Sequence, residues 1–224
     1  CDSSNVWLPE DYIIKCSQEV DLNKFAGMDC YVGVDLAATS DLTAVAYLVV
    51  LDGTYYFKTH YYLPESALKD KADKELYKYW KQQEYLTVTS GNVTDYDYIT
   101  TDMLRYADVV NIQSVGYDKY NATQWAIDST EQGLPLEEYP QTLGNFNMPT
   151  RELERLILSG KAVIDNNEIN RYCFRNVTLK SDYNGNVKPN KAVDKKKIDG
   201  TIAMIQALGM YLRTPHYTNE ILTI

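Results

Sequence analysis

Three aspartates stand at the edges of apolar runs. Cys30-Tyr31-Val32-Gly33-Val34 leads into Asp35, Gln113-Ser114-Val115-Gly116-Tyr117 leads into Asp118, and Asp199 heads an Ile- and Ala-rich stretch after Lys196-Lys197-Ile198. Carboxylates carried to the ends of buried strands and a packed helix converge on one small volume, where like charges repel unless divalent cations neutralise them. An all-oxygen donor set suits Mg2+ or Mn2+. Two such ions about 3.5–4 Å apart, bridged by one carboxylate, activate water on one side of phosphorus and stabilise the leaving oxygen on the other. In that arrangement Asp35 bridges, Asp118 binds one ion and Asp199 the other. Asp41, six residues after Asp35, adds a ligand or orients water. Each residue alone has a plainer reading: Asp41 bonds its own turn, Asp118 starts a turn into a helix, and Asp199 is a solvated helix residue paired with Lys195 or Lys196.

The elements that must position these groups follow from the hydrophobic pattern. Residues 30–36 and 42–51 are short, β-prone and apolar, Asp52-Gly53 is a hairpin signal, and Thr54–Tyr62 supplies the third strand of an antiparallel meander. Pro64-Glu65-Ser66 opens a polar helix to about Lys81, and Tyr85–Thr89 is extended. Residues 97–110 form a helix, Gln113–Tyr117 a strand, Thr123–Gln132 a helix, Leu136–Pro140 a short strand and Met148–Ser159 a helix. Right-handed crossovers at this spacing make the later strands parallel. Val177–Asp182, Asn184-Gly185 and Val187-Lys188 form an exposed hairpin. The last helix, Lys195–Leu212, turns Ile198, Ile202, Ile205 and Leu212 inward, while Ala203, Ala207 and Gly209 allow close approach to the sheet. The expected class is α/β, with a mixed central sheet flanked by helices.

At 224 residues and 45% hydrophobic, the chain supports one substantial core. No apolar run reaches the roughly 18 residues of a membrane span and no secretory signal opens the chain, so a soluble, intracellular protein is expected. Four cysteines without CxxC spacing and two histidines leave little for a zinc cluster. They read as reduced thiols, with Cys30 and Cys173 buried. The opening on Cys1 suggests a piece of a longer polypeptide. A net charge of −9 speaks against a nucleic-acid partner until its distribution is considered. Residues 1–150 hold 10 Lys and Arg against 23 Asp and Glu, whereas residues 151–213 hold 12 against 7. That cationic third fits a one-sided DNA-binding face, or an ordinary solvated surface. Most of the 20 tyrosines read as packing residues rather than stacking platforms for bases.

Five blocks, 33–44 (Gly-Val-Asp-Leu-Ala-Ala-Thr-Ser-Asp-Leu-Thr-Ala), 116–122, 148–157, 185–189 and 196–209, resemble in order the C-terminal nuclease domain of the large terminase subunit of tailed bacteriophages. The resemblance covers the chain from about Cys30 onward. It implies a ribonuclease H-like fold and an endonuclease that cuts double-stranded concatemeric viral DNA during genome packaging with two Mg2+ or Mn2+ ions. Asp35, Asp118 and Asp199 match the metal ligands, and Asp41 an additional essential acid. It further implies residues 1–29 as a lead-in from an upstream ATPase domain, 30–214 as the nuclease and 215–224 as a tail. The small terminase subunit and portal are the implied partners, and the host cytoplasm the implied compartment. Ser159-Gly160-Lys161 lacks the earlier glycine of a phosphate loop, so no ATPase motif is present here. Lys180, Lys188, Lys191, Lys195, Lys196 and Lys197 are the candidates to grip DNA phosphates, with the Asn184-Gly185 hairpin guiding the duplex.

Two other classes share parts of the pattern. Sugar-kinase and actin-like ATPases also open on Gly-x-Asp and a Ser/Thr turn, but need a second lobe and Gly-rich loops that 11 glycines hardly provide. A non-catalytic docking module of the packaging machinery is the other reading. Plasmid digestion in Mg2+ and Mn2+ separates it from a nuclease.

Overall fold

The computed structural model describes residues 6–39, 41–69, 73–120, 122–193 and 196–216. The chain begins with helix α1 (Glu10–Cys16) and a two-residue strand β1 (Ser17–Gln18), followed by the meander β2 (Asp29–Asp35), β3 (Thr43–Leu51) and β4 (Thr54–Pro64). Asp52 and Gly53 both take positive φ, 51° and 74°, the mirror-image turn that matches the twist of a two-residue hairpin. Next come α2 (Lys74–Gln82), β5 (Thr87–Thr89), α3 (Tyr96–Ala107), β6 (Asn111–Tyr117), α4 (Thr123–Glu131) and β7 (Leu136–Glu138). The last part is α5 (Leu143–Leu158), β8 (Ala162–Asp165), α6 (Glu168–Arg175), the hairpin β9 (Val177–Ser181) and β10 (Val187–Lys191), and α7 (Asp199–Arg213).

Eight strands form one mixed sheet in the order β1-β8-β4-β3-β2-β6-β7, with β5 also on β4. β2, β3 and β4 are antiparallel neighbours, whereas β6 runs parallel to β2 and β7 parallel to β6. An antiparallel meander continued by parallel strands is the ribonuclease H-like arrangement expected above. Alternation along each strand gives two cores. One face packs Tyr31, Ala44, Ala46, Phe57 and Tyr61 against α7, α5, α6, α2 and α1. The other packs Val32, Val34, Val45 and Tyr47 against Ile99 and Met103 of α3 and Trp125 of α4. Cys30 and Cys173 are buried free thiols, as expected, and Cys16 is a free thiol that is buried as well. No helix among the described residues is long and apolar enough to cross a membrane.

Helix α7 lies across the middle of the sheet and is buried along almost its whole length. It can do so because Gly33 has no side chain: a Cβ there would run into the Ala203 carbonyl and the Ala207 amide nitrogen of the helix backbone. The small residues expected on the helix are thus matched by one on the strand beneath.

Several boundaries differ from expectation. The polar helix anticipated over 64–81 is a short 3-10 turn at Glu65–Lys69 and a separate helix from Lys74, with residues 70–72 outside the described set. The helix expected from Met148 starts at Leu143, capped by Thr142, whose hydroxyl accepts the Asn145 amide at 3.2 Å. Pro149 therefore sits inside it and cannot donate to the Asn145 carbonyl. The Tyr139 hydroxyl donates to that carbonyl instead, at 2.6 Å. The last helix begins at Asp199 rather than Lys195. Of residues 1–29, expected as a lead-in, the described part from 6 onward buries Leu8, Ile13, Cys16, Val20, Leu22 and Phe25 and adds β1 to the sheet.

Candidate functional site

Asp35 is the last residue of β2. Residues 31, 33 and 35 share one face of the strand, and Gly33 shows that this is the face covered by α7. Asp199 precedes Ala203 by four residues, about one 5.4 Å turn, while Asp35 follows Gly33 by two strand residues, about 6.6 Å. The head of the helix and the end of the strand therefore come level. Across the parallel pair Val34 aligns with Tyr117, so Asp118 leaves β6 beside Asp35. Strand register and helix position, not local sequence, thus bring Asp35 near Asp199 on one side and near Asp118 on the other.

Asp35, Asp41 and Asp199 line a cleft of about 410 Å3 together with Gln141, Lys188, Lys191 and Ile198. Asp118 adjoins it through Gln141. The Gln141 main-chain amide donates to Asp118 Oδ2 at 2.9 Å, and its side-chain amide donates to Asp35 Oδ1 at 3.0 Å. The Tyr120 amide donates to Asp118 Oδ1 at 2.9 Å, so Asp118 also makes the turn contact anticipated as its plainer role. Gln141 was not identified from sequence. It sits in a loop between a three-residue strand and a helix start, and no motif marks it.

Asp41 pairs with Lys197, which is 8% exposed. Burial alone would raise the Asp41 pKa, but the hydrogen bond and charge of Lys197, helped by Lys191, hold it below the usual carboxylate value. Lys197, expected to grip phosphate, thus neutralises an acid beside the cleft. Of the other lysines, Lys180, Lys188 and Lys191 lie on the β9–β10 hairpin, and Lys196 stands 5.8 Å from the centre of the Tyr172 ring. Lys195 falls outside the described residues. Lys180 and Lys188 face each other in register across the hairpin, a like-charge pair that disfavours pairing unless an anion lies nearby. Lys188 Nζ also donates to the Gln141 carbonyl at 2.8 Å.

Asp35 and Asp199, at the head of α7, have too little positive charge nearby to offset their burial and mutual repulsion. Burial, then the charge of Asp199, pushes the Asp35 pKa well above the ordinary value, with the Gln141 hydrogen bond and Lys191 opposing and Asp118 adding to the rise. Burial, then Asp41, pushes Asp199 up to about 6. Asp199 Oδ2 is buried with no hydrogen-bond partner among the described residues. An orphaned carboxylate oxygen next to a second repelled carboxylate is a donor set that a hard divalent cation satisfies. No three acidic groups among the described residues already form a finished cage, so closing round an ion requires the side chains to adjust.

These shifts give a pH dependence of known sign. A carboxyl group whose native pKa is raised contributes stability that is fully present below its unfolded pKa of 3.8 and is lost as pH rises through the native value. The metal-free protein is expected to melt at a lower temperature at pH 7 than at pH 5, with the Asp199 part of the loss running from pH 3.8 and complete just above about 6. Asp199→Asn should flatten that slope in a calorimetric pH series. An unchanged slope would mean that this carboxyl group is not the buried acid described.

Comparison with known proteins places the cleft in context. A family model for the terminase large subunit, endonuclease domain, matches residues 2–214. Protein YmfN of Escherichia coli (strain K12) is 32% identical over 206 residues, 84% of this chain and 44% of that protein. The terminase large subunit of Enterobacteria phage HK97 is 28% identical over 187 residues, 80% of this chain and 36% of the relative. The crystal structure of the HK97 large terminase superposes with a TM-score of 0.80 at 25% identity, over 90% of this chain and 43% of that one. The large terminase nuclease of thermophilic phage G20c, at a TM-score of 0.55 and 12% identity over 84% of this chain and 83% of that one, shares the fold. This chain spans less than half the length of the curated relatives it matches.

Proposed function

The chain belongs to the terminase large subunit endonuclease-domain family, and we propose that it is a metal-dependent endodeoxyribonuclease that cuts double-stranded concatemeric phage DNA. The observation that carries this reading is the approach of half-buried Asp35 and buried Asp199, both raised in pKa, beside Asp118, with one Asp199 oxygen left without a partner among the described residues. Asp35, Asp118 and Asp199 are the residues that would hold two Mg2+ or Mn2+ ions. Bound there, such ions supply an activated water and neutralise charge on the leaving oxygen. Asp41, kept ionised by Lys197, stands at the cleft to accept a hydrogen bond from water. Lys191 and Lys188 line the same cleft and offset the repulsion between bound phosphate and the carboxylates.

An ATPase domain upstream of this chain is part of the same reading; residues 6–29, which pack into the nuclease sheet, connect to it ahead of 30–214, and 215–224, mostly outside the described residues, follow as a tail. The small terminase subunit and the portal are the further partners, and the host cytoplasm is the compartment. Incubating supercoiled plasmid with the purified chain in Mg2+ and in Mn2+ tests the activity. Nicked and linear products are expected, and intact DNA under both conditions would leave a docking module.

The hairpin supplies a second measurement. Lys180→Gln combined with Lys191→Gln is expected to weaken DNA binding equally for unrelated sequences. It should also lower the slope of log affinity against log salt by about one for each phosphate that is no longer neutralised. An unchanged slope would place the DNA elsewhere.

A further inference from the structure

We infer that Gln141 is a positioning residue, holding Asp35 and Asp118 in the arrangement that receives the cations; this rests on the nuclease reading above. One residue reaches both acids by different means, its side-chain amide to Asp35 Oδ1 at 3.0 Å and its main-chain amide to Asp118 Oδ2 at 2.9 Å. Two N–H dipoles thus face two carboxylates that would otherwise repel each other, and Asp118 does contribute to the raised energy of ionised Asp35. A carboxylate oxygen has two lone pairs, so each acid that accepts one hydrogen bond keeps capacity for a cation. A side-chain amide serves where a carboxylate would not, because it donates without adding a further negative charge.

The loop around Gln141 is itself held. The Tyr139 amide donates to the Tyr117 carbonyl at 2.7 Å, the Thr142 amide and Asn145 Nδ2 both donate to the Pro140 carbonyl at 2.8 Å, and Thr142 caps α5. Lys188 Nζ donates to the Gln141 carbonyl at 2.8 Å, tying the basic hairpin to the same residue. Gln141 therefore sits on a fixed support, unlike a surface glutamine that samples several rotamers, and it carries an order imposed by β7, α5 and the hairpin to the two acids.

Gln141→Met tests the assignment, since it keeps the side-chain length and the main-chain bond to Asp118 and removes only the donor to Asp35. Mn2+ titrated calorimetrically into the unmodified chain and the variant is expected to show about 10–100-fold weaker binding in the variant. Plasmid cleavage should show a lowered rate at limiting Mn2+ that excess Mn2+ restores, with KM for DNA unchanged, a pattern that a folding defect would not produce. Gln141→Leu, of different shape, should behave alike. If the unmodified chain binds Mn2+ and cuts DNA while both variants match it in affinity and rate, Gln141 has no positioning role. If the unmodified chain neither takes up Mn2+ nor cuts, the nuclease reading fails and this inference with it.

Discussion

Asp35→Asn is expected to lower the plasmid-cleavage rate by at least about 1,000-fold while raising the melting temperature of the metal-free protein. On the proposed nuclease reading, the first effect follows because an amide lacks the anionic oxygen with which Asp35 would hold a cation. Losing several kcal/mol of transition-state stabilisation removes a factor of ten for every 1.36 kcal/mol. The second follows from the location of Asp35 beside Asp199, where burial and like charge oppose its ionisation. Asparagine keeps an oxygen to accept the Gln141 amide, so the local structure should persist. Asp118→Asn is expected to lower cleavage as well. Cleavage at the unmodified rate by either variant would sink the nuclease assignment, and a lowered melting temperature in Asp35→Asn would contradict the described electrostatics.

Gly33→Ala should destabilise the fold by about 3 kcal/mol or more, at the upper end for overpacking, because the added carbon meets main chain rather than a movable side chain. Relief requires sliding α7 relative to β2, which would also separate Asp199 from Asp35. Gly144→Ala is the matched comparison: its new carbon meets nothing within 4 Å, and it lies in α5. There the change should be neutral or stabilising by up to about 1 kcal/mol. Urea denaturation of both variants decides the point. Equal stabilities would mean that the helix does not lie as close to the sheet as described.

The legible parts of the fold were those whose pattern is self-contained. The meander over 29–64 combines apolar β-branched runs with an Asp-Gly turn, and the parallel pairing of β6 and β7 followed from the α4 crossover that separates them. The elements β8, α6 and α1 were not read, because four, eight and seven residues are too few for a period to stand out. The early start of α5 was hidden by Pro149, which looks like a first-turn residue until Tyr139 is seen to occupy the carbonyl it leaves free. At the site, the aspartates were readable because each ends or begins an apolar element. The pairing of Lys197 with Asp41 spans 156 residues, and the Gln141 contact to Asp35 spans 106. Neither leaves a trace in local composition.

The sheet ends in strands of two and three residues, β1 and β7, the latter bearing exposed Glu137 and Glu138. An outermost strand that short presents too few unpaired amides and carbonyls to template a neighbouring copy, and its charges repel one. Along β4, the edge is covered by β8 at Tyr55–Phe57 and by β5 at Tyr62–Pro64. Between them, Lys58 bonds Asp165 at 3.0 Å and Thr59 bonds Asn170 at 2.9 Å. The consequence is colloidal: a sheet seven strands across offers almost no exposed rim, among the described residues, on which fibrils or adventitious oligomers can seed.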